Sequence, residues 1–190
     1  YEAFIRRRAS GEPLQYITGE QDFMGLTFKT HESTLIPRQD TECLVEEAMM
    51  HLHDGMRILD MCSGSGCILL SLLKYSNDCV GVGAELQPGA VMLARENAEK
   101  LGIEATFIES DLFSQVEGKF DLIVSNPPYI ESEVIETLER EVREHEPMSA
   151  LDGGADGLDF YRRISEEARA YLSRGGMIFY EIGYNQAEDV

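Results

Sequence analysis

A carboxamide, two prolines and a phenol stand in a row at Asn126, Pro127, Pro128 and Tyr129, directly after the apolar run Leu122 to Val124. Such a run reads as a buried strand that delivers Asn126 to a sheet edge. Each proline fixes its own φ and lacks an N–H, and Pro127 pushes Asn126 toward extended backbone. The tip is therefore stiff, with carbonyls free to accept. That set suits a planar NH2 group: the Asn126 oxygen and the Pro127 carbonyl can take its two hydrogens while Tyr129 covers a face. A nitrogen held this way can be aimed at an electrophile. The same four residues also read as a tight turn leaving a strand, so the choice rests on their surroundings.

Those surroundings are an alternation of strand-like and helix-like stretches. MRILDMCSGSGCILLSLLKY reads as strand, Gly/Ser loop and helix; CVGVGAELQPGAVMLARENAEKLG as strand, acid and helix stopped at Gly102; ATFIESDLF as a strand ending near Asp111. After DLIVSNPPYI, a helix from about residue 158 to 172 leads into a fifth strand, MIFYEI. This order predicts βαβ units, hence an α/β fold with a mostly parallel, doubly wound sheet and helices on both faces. Ligands bind such sheets at the carboxyl ends of the strands. Asp60, Glu85, Asp111 and Asn126 all fall there.

Upstream, Gly11 to Lys29 suggests short strands or a hairpin with turns near Gly19 and Gly25. Asp40 can cap a helix with Leu44, Val45, Ala48, Met49 and Leu52 on one face, Cys43 being a buried neighbour of that stripe. The acidic segment Glu131 to Glu146 carries seven glutamates around Val134, Ile135, Leu138 and Val142, spaced as for a solvated amphipathic helix.

The chain has 190 residues, 43% of them hydrophobic, with no apolar run long enough for a membrane-spanning helix. The segment YEAFIRRRASGEP has no apolar core after its arginines and is no secretory signal. Cys43, Cys62, Cys67 and Cys79 make no CxxC pair and no ligand spacing with the histidines, so no metal is expected, and a reducing, cytoplasmic setting is. Sixteen basic against thirty-five acidic residues give a net charge of -19. That charge opposes broad contact with a phosphate backbone, so direct nucleic-acid binding is disfavoured.

The loop after the first sheet strand, DMCSGSG, has Gly64 and Gly66 but carries Leu69 where a dinucleotide fingerprint needs its third glycine, and it has no phosphate-cradling lysine. What remains is a turn that a ligand can approach closely, flanked by Asp60, with Glu85 at the next strand end to accept both hydroxyls of a ribose. Carboxylates suit the cationic amino acid end and the ribose of S-adenosylmethionine better than a pyrophosphate. Asp111 and Leu112 can address the adenine, one accepting from its amino group and the other covering the ring.

With EPLQYITGEQDF, LIPRQDTE, ILDMCSGSGC, ARENAEKLG, SDLF, VSNPPYI and EPMSALDGGADGLDFYRRI in place, the chain from residue 11 to 186 resembles the Rossmann-like, S-adenosylmethionine-dependent HemK/PrmC protein-(glutamine-N5) methyltransferases. The resemblance implies methylation of a glutamine side-chain amide in the GGQ-type motif of a translation release factor. It implies that Cys62, Ser63, Gly64, Ser65 and Gly66 form the cofactor loop, that Glu85 holds the ribose, and that Leu112 lies by the adenine. Asn126, Pro127, Pro128 and Tyr129 would bind the substrate glutamine, Asn126 also bordering the cofactor. Cys62 stands where the family usually has glycine, Glu85 where aspartate is more usual, and Leu112 where some members carry tryptophan. A positive φ at residue 62 would leave Cys62 strained.

On this resemblance, residues 1–30 are a linker and hairpin following an N-terminal helical domain, and 31–190 are a catalytic domain lacking its final strands. The fifth strand would then be an open edge prone to pair with another chain. Competing readings are an adenine-N6 methyltransferase on nucleic acid, which shares NPPY, a ribosomal-protein glutamine methyltransferase, and a non-catalytic module that keeps the cofactor fold. Arg38 is open between positioning the substrate loop, meeting the cofactor carboxylate and pairing with an acid.

Overall fold

The computed structural model describes residues 2–190. Helices α1 (Glu2–Ala9) and α2 (Leu14–Thr18) lead into an antiparallel hairpin, β1 (Glu20–Phe23) and β2 (Leu26–Lys29). The stretch Leu14–Thr18 is thus helical rather than strand, and Gly19 ends it in the left-handed conformation of a C-cap. Met24 and Gly25 both have positive φ, 50° and 71°, the requirement of a two-residue hairpin turn whose twist matches its strands.

Then follow α3 (Asp40–His51), β3 (Arg57–Met61), α4 (Cys67–Tyr75), β4 (Val80–Glu85), α5 (Pro88–Leu101), β5 (Thr106–Glu109), β6 (Phe120–Ser125), α6 (Arg140–His145), α7 (Asp159–Ala168) and β7 (Leu172–Tyr180). The last five strands form one parallel sheet in the order β5-β4-β3-β6-β7. Successive strand residues face opposite sides. Ile58, Leu122 and Val124 pack with α3, α4, α5 and the hairpin's Phe23 and Phe28, whereas Leu59, Met61 and Ile123 pack with Phe113 and with Ile164 and Ala168 of α7. The doubly wound α/β sheet with a preceding hairpin is as the sequence indicates.

Three local expectations change. Cys43 is exposed, because α3 turns Leu44, Val45 and Ala48 inward and leaves position 43 outside that face. The segment Glu131 to Glu146 is not one helix. A 3-10 turn at Ile135–Thr137 and the short α6 replace it, with Ile135 buried and Val134 exposed. The helix expected from about residue 158 to 172 stops at Ala168, and the strand after it starts at Leu172, with an irregularity opposite Phe120 and Leu122. No described helix is long and apolar enough to cross a membrane.

The chain runs outward from β3 through β4 to β5 and then returns to place β6 on the other side of β3. That reversal opens a crevice beyond the carboxyl ends of β3 and β6, the position where sheets of this kind bind ligands. Ser125 Oγ donates to the Met61 carbonyl at 2.7 Å and ties the two strand ends together at its floor.

Candidate active site

Two recesses meet at this crevice. The larger is walled by the loop from Cys62 to Ser65, by Glu85 and Gln87, by Asp111 and Leu112, and by Phe160. The smaller is walled by Pro127, Tyr129, Ile130, Val142, Leu151 and Glu181. Leu35, Arg38, Asn126 and Ala150 border both.

The loop of the larger recess is shaped by its backbone. Gly66, at φ 79°, caps the start of α4, and a Cβ there would stand 2.8 Å from the Phe107 ring. Gly64, at φ 52°, has no neighbour within 4 Å of a Cβ position, so its backbone is open to close approach. Glu85 fastens this loop: Oε2 accepts from the Gly64 N–H and Oε1 from the Gln87 N–H, both at 2.9 Å. A carboxylate oxygen has room for a second donor, so both can still receive a ligand's hydroxyls. Asn97 of α5 is wholly buried and braces the loop from behind. Its Nδ2 donates to the carbonyls of Ser65 and Lys29, and its Oδ1 accepts from the Lys29 N–H.

Cys62 does sit at positive φ, 61°, as the comparison with glycine anticipated. Left-handed backbone costs a side-chain-bearing residue about 1–2 kcal/mol. It is partly exposed where it walls the recess, and its thiol pKa is raised, first by desolvation and then by the charges of Glu85 and Asp60, which keeps it protonated and a poor nucleophile. Cys62→Gly should therefore raise the urea midpoint or leave it unchanged. Cys62→Val, β-branched at the same φ, should destabilise by about 1 kcal/mol or more. Equal destabilisation by both would show that packing, not strain, dominates here.

Asp60 does not line the recess. It is fully buried beneath the loop, where Oδ2 accepts from the Leu69 N–H at 3.2 Å in the first turn of α4 and Oδ1 has no partner among the described residues. Its expected role beside the cofactor gives way to a role inside the fold, because β3 carries its side chain under α4. Burial pushes its carboxyl up to about 8, the Glu85 charge adding and the Leu69 N–H opposing. The folded protein keeps a proton that the unfolded chain releases above the ordinary carboxylate range. This group's contribution to stability is thus full at low pH and is lost as pH rises toward about 8. Asp60→Asn cannot ionise, so urea titrations should show a flatter loss of stability between about pH 5 and about pH 8. An unchanged slope would show that Asp60 is ionised throughout.

On the far wall, Asp111 is exposed and its Oδ1 accepts from Arg163 at 2.7 Å, a partner the sequence did not disclose. Leu112 is buried at φ 47°, held there by Ser110, whose hydroxyl donates to the Leu112 carbonyl and accepts from the Gln115 N–H.

At the joint between the recesses, Asn126 Nδ2 donates to Thr41 Oγ1 at 3.2 Å. Among the described residues no donor reaches Asn126 Oδ1 or the Pro127 carbonyl, so both acceptors are open. Tyr129 Oη donates to Glu181 Oε1 at 3.4 Å, and burial with the Glu181 charge pushes the phenol up to about 12, keeping it protonated. The backbone of Tyr129 is gripped as well. Gln186 Nε2 donates to its carbonyl at 3.0 Å, and a Cβ on Gly153 would stand 2.7 Å from its Cα. The ALDGGADGL segment is therefore small where the NPPY tip lies against it.

Arg38 pairs with Glu146, whose side chain is only 1% exposed, and borders both recesses. Of its three readings, pairing with a buried acid is the one the contacts carry. Thr41, Glu181, Ser110 and Asn97 are the site residues that motif reading missed. Glu181 had a signal: it follows the fifth sheet strand, at the same edge as Glu85 and Asn126.

The methyltransferase small domain family matches residues 39–144 and the PrmC N-terminal domain family residues 1–19. A release factor glutamine methyltransferase of Geobacter sulfurreducens is 51% identical over 98% of this chain and 66% of its own length. Those of Agrobacterium fabrum and Rhodospirillum rubrum are 43% and 47% identical over 99% and 100% of the chain. The chain spans 68% and 59% of their lengths. Among solved structures, a Pyrococcus furiosus methyltransferase superposes with a TM-score of 0.64 over 97% of this chain and 79% of its own, at 20% identity. A 16S rRNA methyltransferase of T. thermophilus, in complex with AdoMet and guanosine, gives 0.59 over 85% of this chain and 40% of its own, also at 20% identity, a likeness of fold alone. With relatives this similar across nearly all of its residues, the chain belongs to the release factor glutamine methyltransferase family.

Proposed function

We propose that this protein transfers a methyl group from S-adenosylmethionine to the side-chain amide nitrogen of a glutamine in a translation release factor. The observation that carries the reading is Asn126 at the junction of two recesses, its nitrogen tied to Thr41 and its oxygen, like the Pro127 carbonyl, without a donor among the described residues. The larger recess fits the cofactor by its donor set. Glu85 has acceptor capacity for ribose hydroxyls, Gly64 permits close backbone approach, and Leu112 with Phe160 offers an apolar wall beside Asp111. Bound there, S-adenosylmethionine supplies an electrophilic methyl group.

A carboxamide nitrogen is a poor nucleophile because its lone pair is delocalised into the carbonyl. Asn126 Oδ1 and the Pro127 carbonyl accept its two hydrogens and fix its direction. They also favour the loss of planarity that frees the lone pair. Tyr129 and Pro128 hold the amide plane, and the half-buried site limits water. Positioning and fixed dipoles thus supply most of the acceleration. The net charge of -19 supports a protein substrate over an extended nucleic acid, and cysteines without a disulfide framework support action in the cytoplasm.

Residues 31–190 act in this reading as the catalytic unit and 1–30 as the linker and hairpin before it. The exposed edge of β7 is a place where another strand can add. Calorimetric titration tests the cofactor half: S-adenosylhomocysteine and S-adenosylmethionine should bind saturably and NADH should not. Binding of NADH alone would defeat it.

A further inference from the structure

Glu181 follows β7 and belongs to neither set of residues expected from the motifs. Its backbone N–H donates to the Ser125 carbonyl at 3.0 Å, extending the β6–β7 pairing to the residue beside Asn126. Its own carbonyl accepts from Tyr161 Oη at 2.9 Å. The side chain is therefore presented from a rigid element, and it lines the smaller recess. There Oε1 accepts from Tyr129 Oη, and Oε2 is buried with no hydrogen-bond partner among the described residues. Burial raises the Glu181 pKa, and the neighbouring Thr41, Tyr129 and Asn126 side chains oppose that rise by favouring the ionised form.

A carboxylate only accepts hydrogen bonds, and this fixes the sense of everything around it. The Thr41 oxygen receives the Asn126 N–H, which leaves the Thr41 proton free for a neighbouring acceptor, and Glu181 Oε2 is a buried acceptor without a donor among the described residues. Turning the Asn126 amide over would bring its oxygen toward a hydroxyl oxygen and a carboxylate, three acceptors sharing one proton. We propose that Glu181 is a positioning residue that keeps the Asn126 oxygen, rather than its nitrogen, facing the substrate amide, and that holds the Tyr129 ring through its hydroxyl. The inference rests on the reading of Asn126 as the group that binds the substrate nitrogen.

Glu181→Gln keeps the shape and replaces one acceptor by an N–H that competes with Tyr129 and Thr41. In methyl-transfer assays of the protein on a release factor, it should lower kcat by about 10- to 100-fold. KM and S-adenosylhomocysteine affinity should stay within about 2-fold. Glu181→Asp should recover part of the loss. In an Asn126→Ala background, Glu181→Gln should cost several-fold less than in the parent, because only its hold on Tyr129 then remains. Unchanged kcat, losses that multiply in the double variant, or equal losses of kcat and cofactor affinity would each overturn the proposal.

A second readout needs no turnover. The Asn126 side-chain NH2 resonances, identified by their loss in Asn126→Ala, should be two well-separated, slowly exchanging protons that Glu181→Gln broadens or merges. That behaviour in a protein without transfer activity would defeat the methyl-transfer reading and leave standing only the orientation of the Asn126 amide by Glu181. Unaltered resonances in Glu181→Gln would defeat this one alone.

Discussion

Asn126→Ala should lower methyl-transfer turnover by about 100-fold or more while S-adenosylhomocysteine affinity stays within about 3-fold. Asn126 Oδ1 accepts nothing from the described residues, so its capacity is free for a substrate hydrogen. Preorganised dipoles of this kind contribute mainly in the transition state, where the nitrogen gains positive character; losing one lowers kcat rather than binding. The truncation also frees Thr41 Oγ1, which lines the larger recess, but it leaves Glu85 and the Cys62 to Gly66 loop untouched. Single-turnover transfer with labelled methyl, run beside calorimetry, separates the two effects. A cofactor affinity that falls as far as turnover would remove Asn126 from the nucleophile's site.

Glu85→Ala should do the opposite, weakening S-adenosylhomocysteine binding by on the order of 100-fold, with kcat at saturating cofactor far less affected. Hydrogen bonds to a charged acceptor contribute about 1.5–3 kcal/mol each, and a ribose presents two hydroxyls to this carboxylate. The same side chain holds the Gly64 and Gln87 N–H groups, so its removal also slackens the loop the ligand lies against. Both losses act on binding. Calorimetry on the folded variant reads the result, and a Kd within about 3-fold of the parent would mean that the ribose is held elsewhere.

The parts of this site that were legible in the sequence are those where one residue's chemistry suffices. Asn126-Pro127-Pro128-Tyr129 announces its own stiffness and its acceptors, and the glycines at 64 and 66 announce a close approach. The parallel sheet was legible because Ile58, Leu59, Leu122, Ile123 and Val124 lie in continuous apolar runs bounded by loops, as strands buried on both faces require.

What was not legible depends on pairs distant in the chain. Thr41 meets Asn126 across 85 residues, Arg38 meets Glu146 across 108, and Tyr129 meets Glu181 across 52. No local pattern marks such partners. Asp60 shows the limit in reverse: its place at a strand end put it with the binding carboxylates, yet the turn of β3 into the loop sends its side chain under α4. Leu14–Thr18 reads as strand by its mix of Tyr16 and Ile17, and a single helical turn capped by Gly19 wins because it feeds the hairpin directly.

The most direct measurement is to incubate the protein with S-adenosylmethionine and a purified bacterial release factor and to locate the added methyl group by tandem mass spectrometry. One methyl on a glutamine side-chain amide, absent when Asn126→Ala replaces the parent, is the result predicted. A release factor left unmodified, while adenine in nucleic acid acquires the methyl under the same conditions, would contradict it.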